Sequence, residues 1–261
     1  MKKMKVVILC GGKGIRLMQE TEFRPKPLVE IGKRPILWHI MKIYEHYGYR
    51  DFILCTGHKS EMIKEYFLNY RAMNNDFTIH LGDKSELKFY DKGIKEDWNV
   101  TIADTGLDAM TGSRLKKIEH YIDSDDFIVT YGDGVTDVDI DKLVRFHNEN
   151  KKIVTVLGVH PQSRFGELIT NGNIVSEFSE KPQVKESYIN GGFFVLNKKI
   201  FDYLDIDDKC ILERKPFEIL AKKNEMAVYK HKGFWHCMDT QRDMELLKEY
   251  WNSGKAPWKV W

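Results

Sequence analysis

The segment with the most chemical content is Leu9-Cys10-Gly11-Gly12-Lys13-Gly14-Ile15-Arg16-Leu17, directly behind a short apolar run. Glycines let backbone N–H groups approach an anion with no β-carbon in the way, and successive N–H groups in a turn form an anion-binding concavity. That is the chemistry of a phosphate loop, although an ordinary strand-to-helix turn uses the same residues. Two familiar phosphate motifs do not fit. A dinucleotide fingerprint needs a third glycine where Leu17 stands, and a Walker A loop needs a Gly-Lys-Ser/Thr ending. Arg24-Pro25-Lys26-Pro27 follows within ten residues of Arg16, and flanking prolines hold the backbone extended, giving Lys26 a fixed direction. Arg16 and Lys26 together supply two positive charges over a triphosphate on the loop. They would offset charge that grows on the leaving oxygens of a phosphoryl transfer.

Two aspartates stand where such chemistry needs acid groups. Asp133 lies in Gly132-Asp133-Gly134 at the C-terminal end of an expected strand, the edge at which ligands bind in open α/β sheets. Asp239 lies between an expected strand and a helix, where a helix N-cap is the competing role. Asn190-Gly191-Gly192 opens another strand, where glycine would let the backbone close on a sugar ring while Asn190 bonds hydroxyls; a β-bulge would also use these glycines.

Taken together, Gly11-Gly12-x-Gly14-x-Arg16-Leu17 and Lys26-Pro27 resemble the signature of the sugar-1-phosphate nucleotidylyltransferases. The resemblance covers essentially the whole chain and narrows through Trp98-Asn99-Val100-Thr101, Asp104-Thr105-Gly106, Met110-Thr111-Gly112-x-Arg114-Leu115, Tyr131-Gly132-Asp133-Gly134, Asn190-Gly191-Gly192-Phe193 and Gly254-Lys255-Ala256-Pro257-Trp258. It points to the subgroup that joins CTP and glucose 1-phosphate into CDP-glucose. The resemblance implies a Rossmann-like nucleotidyltransferase fold, a mixed and mostly parallel sheet flanked by helices with a β-rich sugar-binding insertion. It implies Mg²⁺ held by Asp133 and Asp239, consistent with the preference of that ion for one or two carboxylates plus phosphate oxygens. It implies catalytic roles for Arg16, Lys26 and Asp133. The nucleotide would bind through Leu9, Cys10, Gly11, Gly12, Lys13, Gly14, Ile15, Arg16 and Lys26, with Ala109, Thr111, Gly112, Arg114 and Gly132. The sugar phosphate would meet Gly166, Glu180, Lys181, Asn190 and Gly191. Glu180-Lys181-Pro182 repeats the device of a lysine stiffened by proline. A homo-oligomer, reported for this family as a hexamer, and a place in the synthesis of surface polysaccharide are further implications. Three departures stand out: Cys10 for the usual alanine, where it would make the loop oxidation-sensitive, Ser113 for a second glycine, where it would reshape the base wall, and Cys237 before Met238-Asp239. The same reaction on another nucleotide or hexose 1-phosphate, and a noncatalytic sugar-nucleotide sensor on the same fold, remain open.

The elements that must position these residues follow from periodicity. Apolar runs alternate with amphipathic segments, the pattern of an α/β protein with parallel strands. Strands are expected at 5–10, 52–56, 127–131, 153–159, 189–196, 227–231 and 234–238, with short ones at 78–81, 87–90 and 100–103 separated by charged turns. Helices are expected from Pro35 to about His46, from an N-cap at Ser60, over 112–121, from Asp139 to Asn148, over 199–204 and 216–223, and from Thr240 to about Ser253. Asn171-Gly172 between apolar pairs signals a hairpin. No linker or repeat divides the 261 residues, so one domain over 1–261 is expected.

Composition excludes several classes. With 41 Lys+Arg against 39 Asp+Glu the formal charge is +2, so no basic field suggests nucleic acid or a membrane surface as partner. No apolar run approaches the roughly 20 residues of a bilayer helix, and the basic N-terminus lacks a signal-peptide core, so a cytoplasmic protein is expected. Cys10, Cys55, Cys210 and Cys237 are scattered, and His231 and His236 near Cys237 lack zinc spacing; reduced thiols and no His/Cys metal site are expected.

Overall fold

The computed structural model describes residues 4–82, 86–90, 93, 96–160, 167–171, 173–179 and 188–261. Its centre is a seven-stranded sheet made of β1 (Val6–Leu9), β2 (Asp51–Thr56), β3 (Asn99–Asp104), β4 (Asp126–Tyr131), β5 (Val154–Val159), β6 (Ile189–Asn197) and β7 (Met226–His231). Their order across the sheet is β7-β5-β6-β4-β1-β2-β3. All neighbours run parallel except β6, which is antiparallel to both β4 and β5. The sheet is thus mixed and mostly parallel, as expected, and Ile189–Asn197 is the antiparallel strand among its seven. A fully buried apolar run has the same composition in either direction, so its periodicity carries no sign.

Val6, Val7 and Ile8 of β1 are all completely buried, because both faces of the sheet are covered. Val6 and Ile8 face the layer built by α1 (Ile36–His46), α4 (Ile140–Asn150) and α6 (Gln241–Asn252). Val7 faces the layer of α3 (Thr111–Lys117) and α5 (Lys215–Lys222). This is the period-2 alternation of a strand read on two apolar sides. In α1 the stripe Ile36, Ile40 and Ile43 is wholly buried, Pro35 stands at its N-cap, and Gly48 closes it at φ +80°. Asp139 caps α4 through Lys142 N, as expected.

Ser60 does not cap α2 (Ser60–Leu68). Lys59, left-handed at φ 53°, occupies the cap, and the Ser60 hydroxyl is buried against Thr56 Oγ1 at 2.8 Å. The middle strands form a separate antiparallel pair, Asp76–His80 with Glu86–Tyr90. Strands Glu167–Asn171 and Ile174–Ser179 also pair antiparallel, as a hairpin demands, while Gly172 lies outside the described residues. The expected helix over 199–204 is a 3-10 segment, Lys198–Tyr203, and the helix over 112–121 gives way after Lys117 to a 3-10 turn at Glu119–Tyr121. Among the described residues no helix is long and apolar enough to cross a membrane.

Candidate active site

β1 delivers the glycine loop to the carboxyl edge of the sheet. Cys10 N donates to the Cys55 carbonyl at 2.9 Å, the last link to β2 before the chain turns away. Gly14 takes φ +63°, and Thr21 sits so close that a β-carbon there would lie 2.8 Å from its Cγ2. The Gly14 carbonyl accepts from Leu17 N and from Thr21 Oγ1, closing the loop into the short helical turn Ile15–Leu17. Pro25 is extended, but its ring fixes only φ, and Lys26 itself opens a 3-10 turn over Lys26–Leu28 rather than an extended segment.

That turn aims Lys26 at two carboxylates. Its ammonium donates to Asp133 Oδ2 at 2.6 Å and to Asp239 Oδ1 at 2.7 Å, and Arg16 Nη1 meets Asp239 Oδ2 at 2.7 Å. Burial alone would lower the Lys26 pKa, but the two carboxylates outweigh it and hold it above the usual lysine value. The aspartates come together through a small ladder. Gly134–Thr136, just after Asp133, pairs antiparallel with Trp235–Cys237, and Met238 N donates to the Asp133 carbonyl at 2.8 Å. Asp239 is free of the competing cap role. Thr240 caps α6 in a capping box with Asp243, whose Oδ2 also accepts from Asp239 N at 3.1 Å. Burial would raise the Asp243 pKa, but bonds from His236 and Thr240 bring it down to about 2.

Asp133 and Asp239 thus present hard oxygen donors converging on one point, the one Lys26 Nζ holds. This suits a divalent cation that takes one or two carboxylates. No group of three or more His, Cys, Asp or Glu is placed for a metal among the described residues. His231 and His236 instead pair with Asp137 and Asp243.

Two cavities meet at this cluster. One, of about 530 Å³, is walled by the glycine loop and by Ala109 to Thr111. Leu9, Cys10, Gly11, Gly12, Lys13, Gly14, Ile15, Arg16, Lys26, Ala109, Thr111, Arg114 and Gly132 all line it. The other, of about 1030 Å³, holds Asn190, Gly191, Gly192, Trp235 and Asp239. Arg16, Tyr131 and Asp133 line both.

Several expected residues act differently in detail. Gly112 faces away from the cleft, where a β-carbon would meet Cys210 Sγ at 2.7 Å. Ser113 does not shape the base wall: it is fully buried and its hydroxyl donates to the Ile206 carbonyl at 3.1 Å. Arg114 lies beneath the loop, with Nη1 on the carbonyls of Thr56 and Gly106 and on Thr105 Oγ1, and Nη2 on the Gly11 carbonyl. Cys10 is buried, and burial raises its thiol pKa well above the ordinary value, so the expected oxidation-sensitive loop is not what this site presents. Asn190 braces its own turn, accepting from Gly192 N at 2.8 Å, and Trp235 Nε1 donates to the Gly191 carbonyl at 2.6 Å. Gly166, Glu180 and Lys181 lie outside the described residues. Tyr131, Trp235 and Glu213 were not singled out individually by sequence reasoning. Tyr131 had a signal, since it immediately precedes Gly132-Asp133-Gly134; Glu213 had none.

A mostly parallel α/β sheet with a phosphate-type loop and paired carboxylates at its carboxyl edge is the frame of a nucleotide-handling enzyme. Residues 5–252 match the family model described as nucleotidyl transferase, and the chain belongs to that family. Within it, the chain is 47% identical over 259 residues to the glucose-1-phosphate cytidylyltransferase of Salmonella typhimurium, covering 99% of this chain and 100% of the relative. It is 44% identical over 258 residues to the "Probable glucose-1-phosphate cytidylyltransferase" of Bacillus subtilis, covering 99% and 100%. Among solved structures, HddC from Yersinia pseudotuberculosis is similar at TM-score 0.67 and 25% identity, over 95% of this chain and 100% of that one.

Proposed function

We propose that the chain transfers the cytidylyl group of CTP to glucose 1-phosphate, giving CDP-glucose and pyrophosphate. The observation that carries this reading is the junction of two cavities at Arg16, Tyr131 and Asp133, beside the Lys26 ammonium. The near full-length identity of 47% to a glucose-1-phosphate cytidylyltransferase supports CTP and glucose 1-phosphate as the pair.

A phosphate oxygen of glucose 1-phosphate attacks the α-phosphorus of CTP in line. The new P–O bond forms as the bond to the β-phosphate breaks, and its electron pair leaves with pyrophosphate. The attacking phosphate is already ionised, so no general base is needed. Both substrates are anionic, and positioning plus charge stabilisation carry the rate. We assign the triphosphate to the backbone N–H groups of Gly11 to Gly14 with Arg16 and Lys26, and the nucleoside to the cleft walled by Leu9 and Ala109 to Thr111. Asn190 and Gly191 take the sugar, and Gly166, Glu180 and Lys181 the sugar phosphate. Mg²⁺, held by Asp133 and Asp239, would supply Lewis-acid neutralisation of phosphate charge. One catalytic domain, a cytoplasmic homohexamer and supply of CDP-glucose to surface polysaccharide complete the reading.

The test is pyrophosphate release with glucose 1-phosphate and Mg²⁺, offering CTP, UTP, dTTP, ATP and GTP separately. A strong preference for CTP is the expected result. Release with another nucleotide alone would remove the cytidylyl assignment, and silence from folded protein in every well would overturn the reaction.

A further inference from the structure

Glu213 lines neither cavity, yet it joins the walls of both. Thr111 Oγ1, on the nucleotide side, donates to Glu213 Oε2 at 2.6 Å. The Tyr131 hydroxyl, which borders both cavities, donates to Oε1. Asn190 Nδ2, in the second cavity, donates to the Tyr131 oxygen at 3.1 Å, and Asn190 Oδ1 accepts from Gly192 N at 2.8 Å. An ionised carboxylate only accepts, so both hydroxyls must point at it. The Tyr131 oxygen is then left to accept from Asn190, which fixes the amide with its nitrogen toward Tyr131 and its oxygen toward Gly192. Every link has one direction, and the carboxylate sets it.

The loop that carries Glu213 is itself anchored. Gly112 N and Ser113 N both donate to the Cys210 carbonyl, and Leu212 N donates to Thr111 Oγ1 at 3.0 Å. Gly112 is glycine at this contact because any β-carbon would strike Cys210.

We propose that Glu213 is a positioning residue that couples the nucleotide wall at Thr111 to the sugar-side amide of Asn190, so that nucleotide binding orders the site for the sugar phosphate. The proposal rests on the substrate reading given above. Seating the nucleotide against Thr111 fixes Glu213, which holds Tyr131, which holds Asn190 in its sugar-binding orientation.

Glucose 1-phosphate binding is measured by calorimetry with and without α,β-methylene-CTP, which cannot release pyrophosphate, for the wild type, Glu213→Gln, Tyr131→Phe and the double variant. In the wild type the analogue tightens glucose 1-phosphate by about tenfold, within the usual range of coupling between sites. Glu213→Gln keeps the shape but lets an amide N–H donate to a hydroxyl, reversing one link. The factor then falls toward one and the KM for glucose 1-phosphate rises more than that for CTP, while the melting temperature moves little. Tyr131→Phe loses the same factor, and the double variant loses no more, because both act on one path. An undiminished coupling factor in Glu213→Gln would overturn the proposal, as would losses in the two single variants that multiply. Wild-type turnover of CTP with glucose 1-phosphate, measured alongside, tests the substrate reading separately from Glu213.

Discussion

Arg114 Nη2 donates to the Gly11 carbonyl at 2.9 Å, and a β-carbon on Gly11 would stand 2.1 Å from Arg114 Nη1. Gly11, the first glycine of the loop, is thus required from below by a buried guanidinium. Burial lowers the Arg114 pKa, but an arginine remains charged at any working pH, and its bonds to the Thr56, Gly106 and Gly11 carbonyls tie the loop to the ends of β2 and β3. Gly11→Ala must displace that guanidinium. It should cost about 2 kcal/mol or more of stability and weaken CTP binding in the same variant. Urea unfolding and nucleotide titration check both, and an unchanged unfolding midpoint would show that Arg114 yields freely.

Lys26 is the positive charge between two carboxylates. Lys26→Met leaves Asp133 and Asp239 facing each other without it, so the variant should lose thermal stability at neutral pH. Millimolar Mg²⁺ should then raise its melting temperature more than that of the wild type, since a ligand bound only by the folded state stabilises it. Turnover should fall about 10²- to 10³-fold even with Mg²⁺ present, because the ammonium no longer meets the leaving oxygens. Asp133→Asn should abolish metal-dependent turnover and leave the fold intact.

Most of this frame was legible in the sequence because each strand of the sheet carries its own apolar run and each long helix its own stripe. The glycine loop, Lys26, Asp133 and Asp239 were legible because they sit beside glycines, prolines or strand ends. The rest depended on pairings between distant segments. Nothing near Glu213 announces that it meets Thr111 and Tyr131, and the direction of β6 follows from its neighbours β4 and β5 rather than from its composition. Ser60 shows the limit of local rules. Its hydroxyl has the chemistry of a cap, but Thr56 holds it in the core.

The thiols test how closed the loop is. Cys10 and Cys55 are buried, and burial raises both pKa values, that of Cys55 to about 12. Alkylation of the native protein at pH 7.5 should leave these two unmodified, and unfolding in urea should expose them. Peptide mass mapping reads the sites. Rapid labelling of Cys10 in folded protein would mean that the glycine loop opens on its own.

His39 gives the fold a dependence on pH. Its ring is buried, with Nε2 bonded to the Ile31 carbonyl at 3.0 Å and Nδ1 accepting from Trp258 Nε1 at 3.4 Å. The indole can only donate, so Nδ1 must stay unprotonated and the ring neutral. Burial, with the nearby Arg34 charge, lowers the pKa from 6.5 to about 4 against the raising effect of the backbone bonds. Between these values the unfolded chain binds more protons than the folded one, so stability rises with pH across the window. The contribution is complete above about pH 6.5, fades as the pH falls toward 4 and is lost below it, about 3 kcal/mol in all. Urea unfolding at pH 7, 5.5 and 4 should therefore show a steeper loss in the wild type than in His39→Gln, which does not titrate. Carboxylates common to both proteins cancel in that difference, and parallel curves would place the acid sensitivity elsewhere.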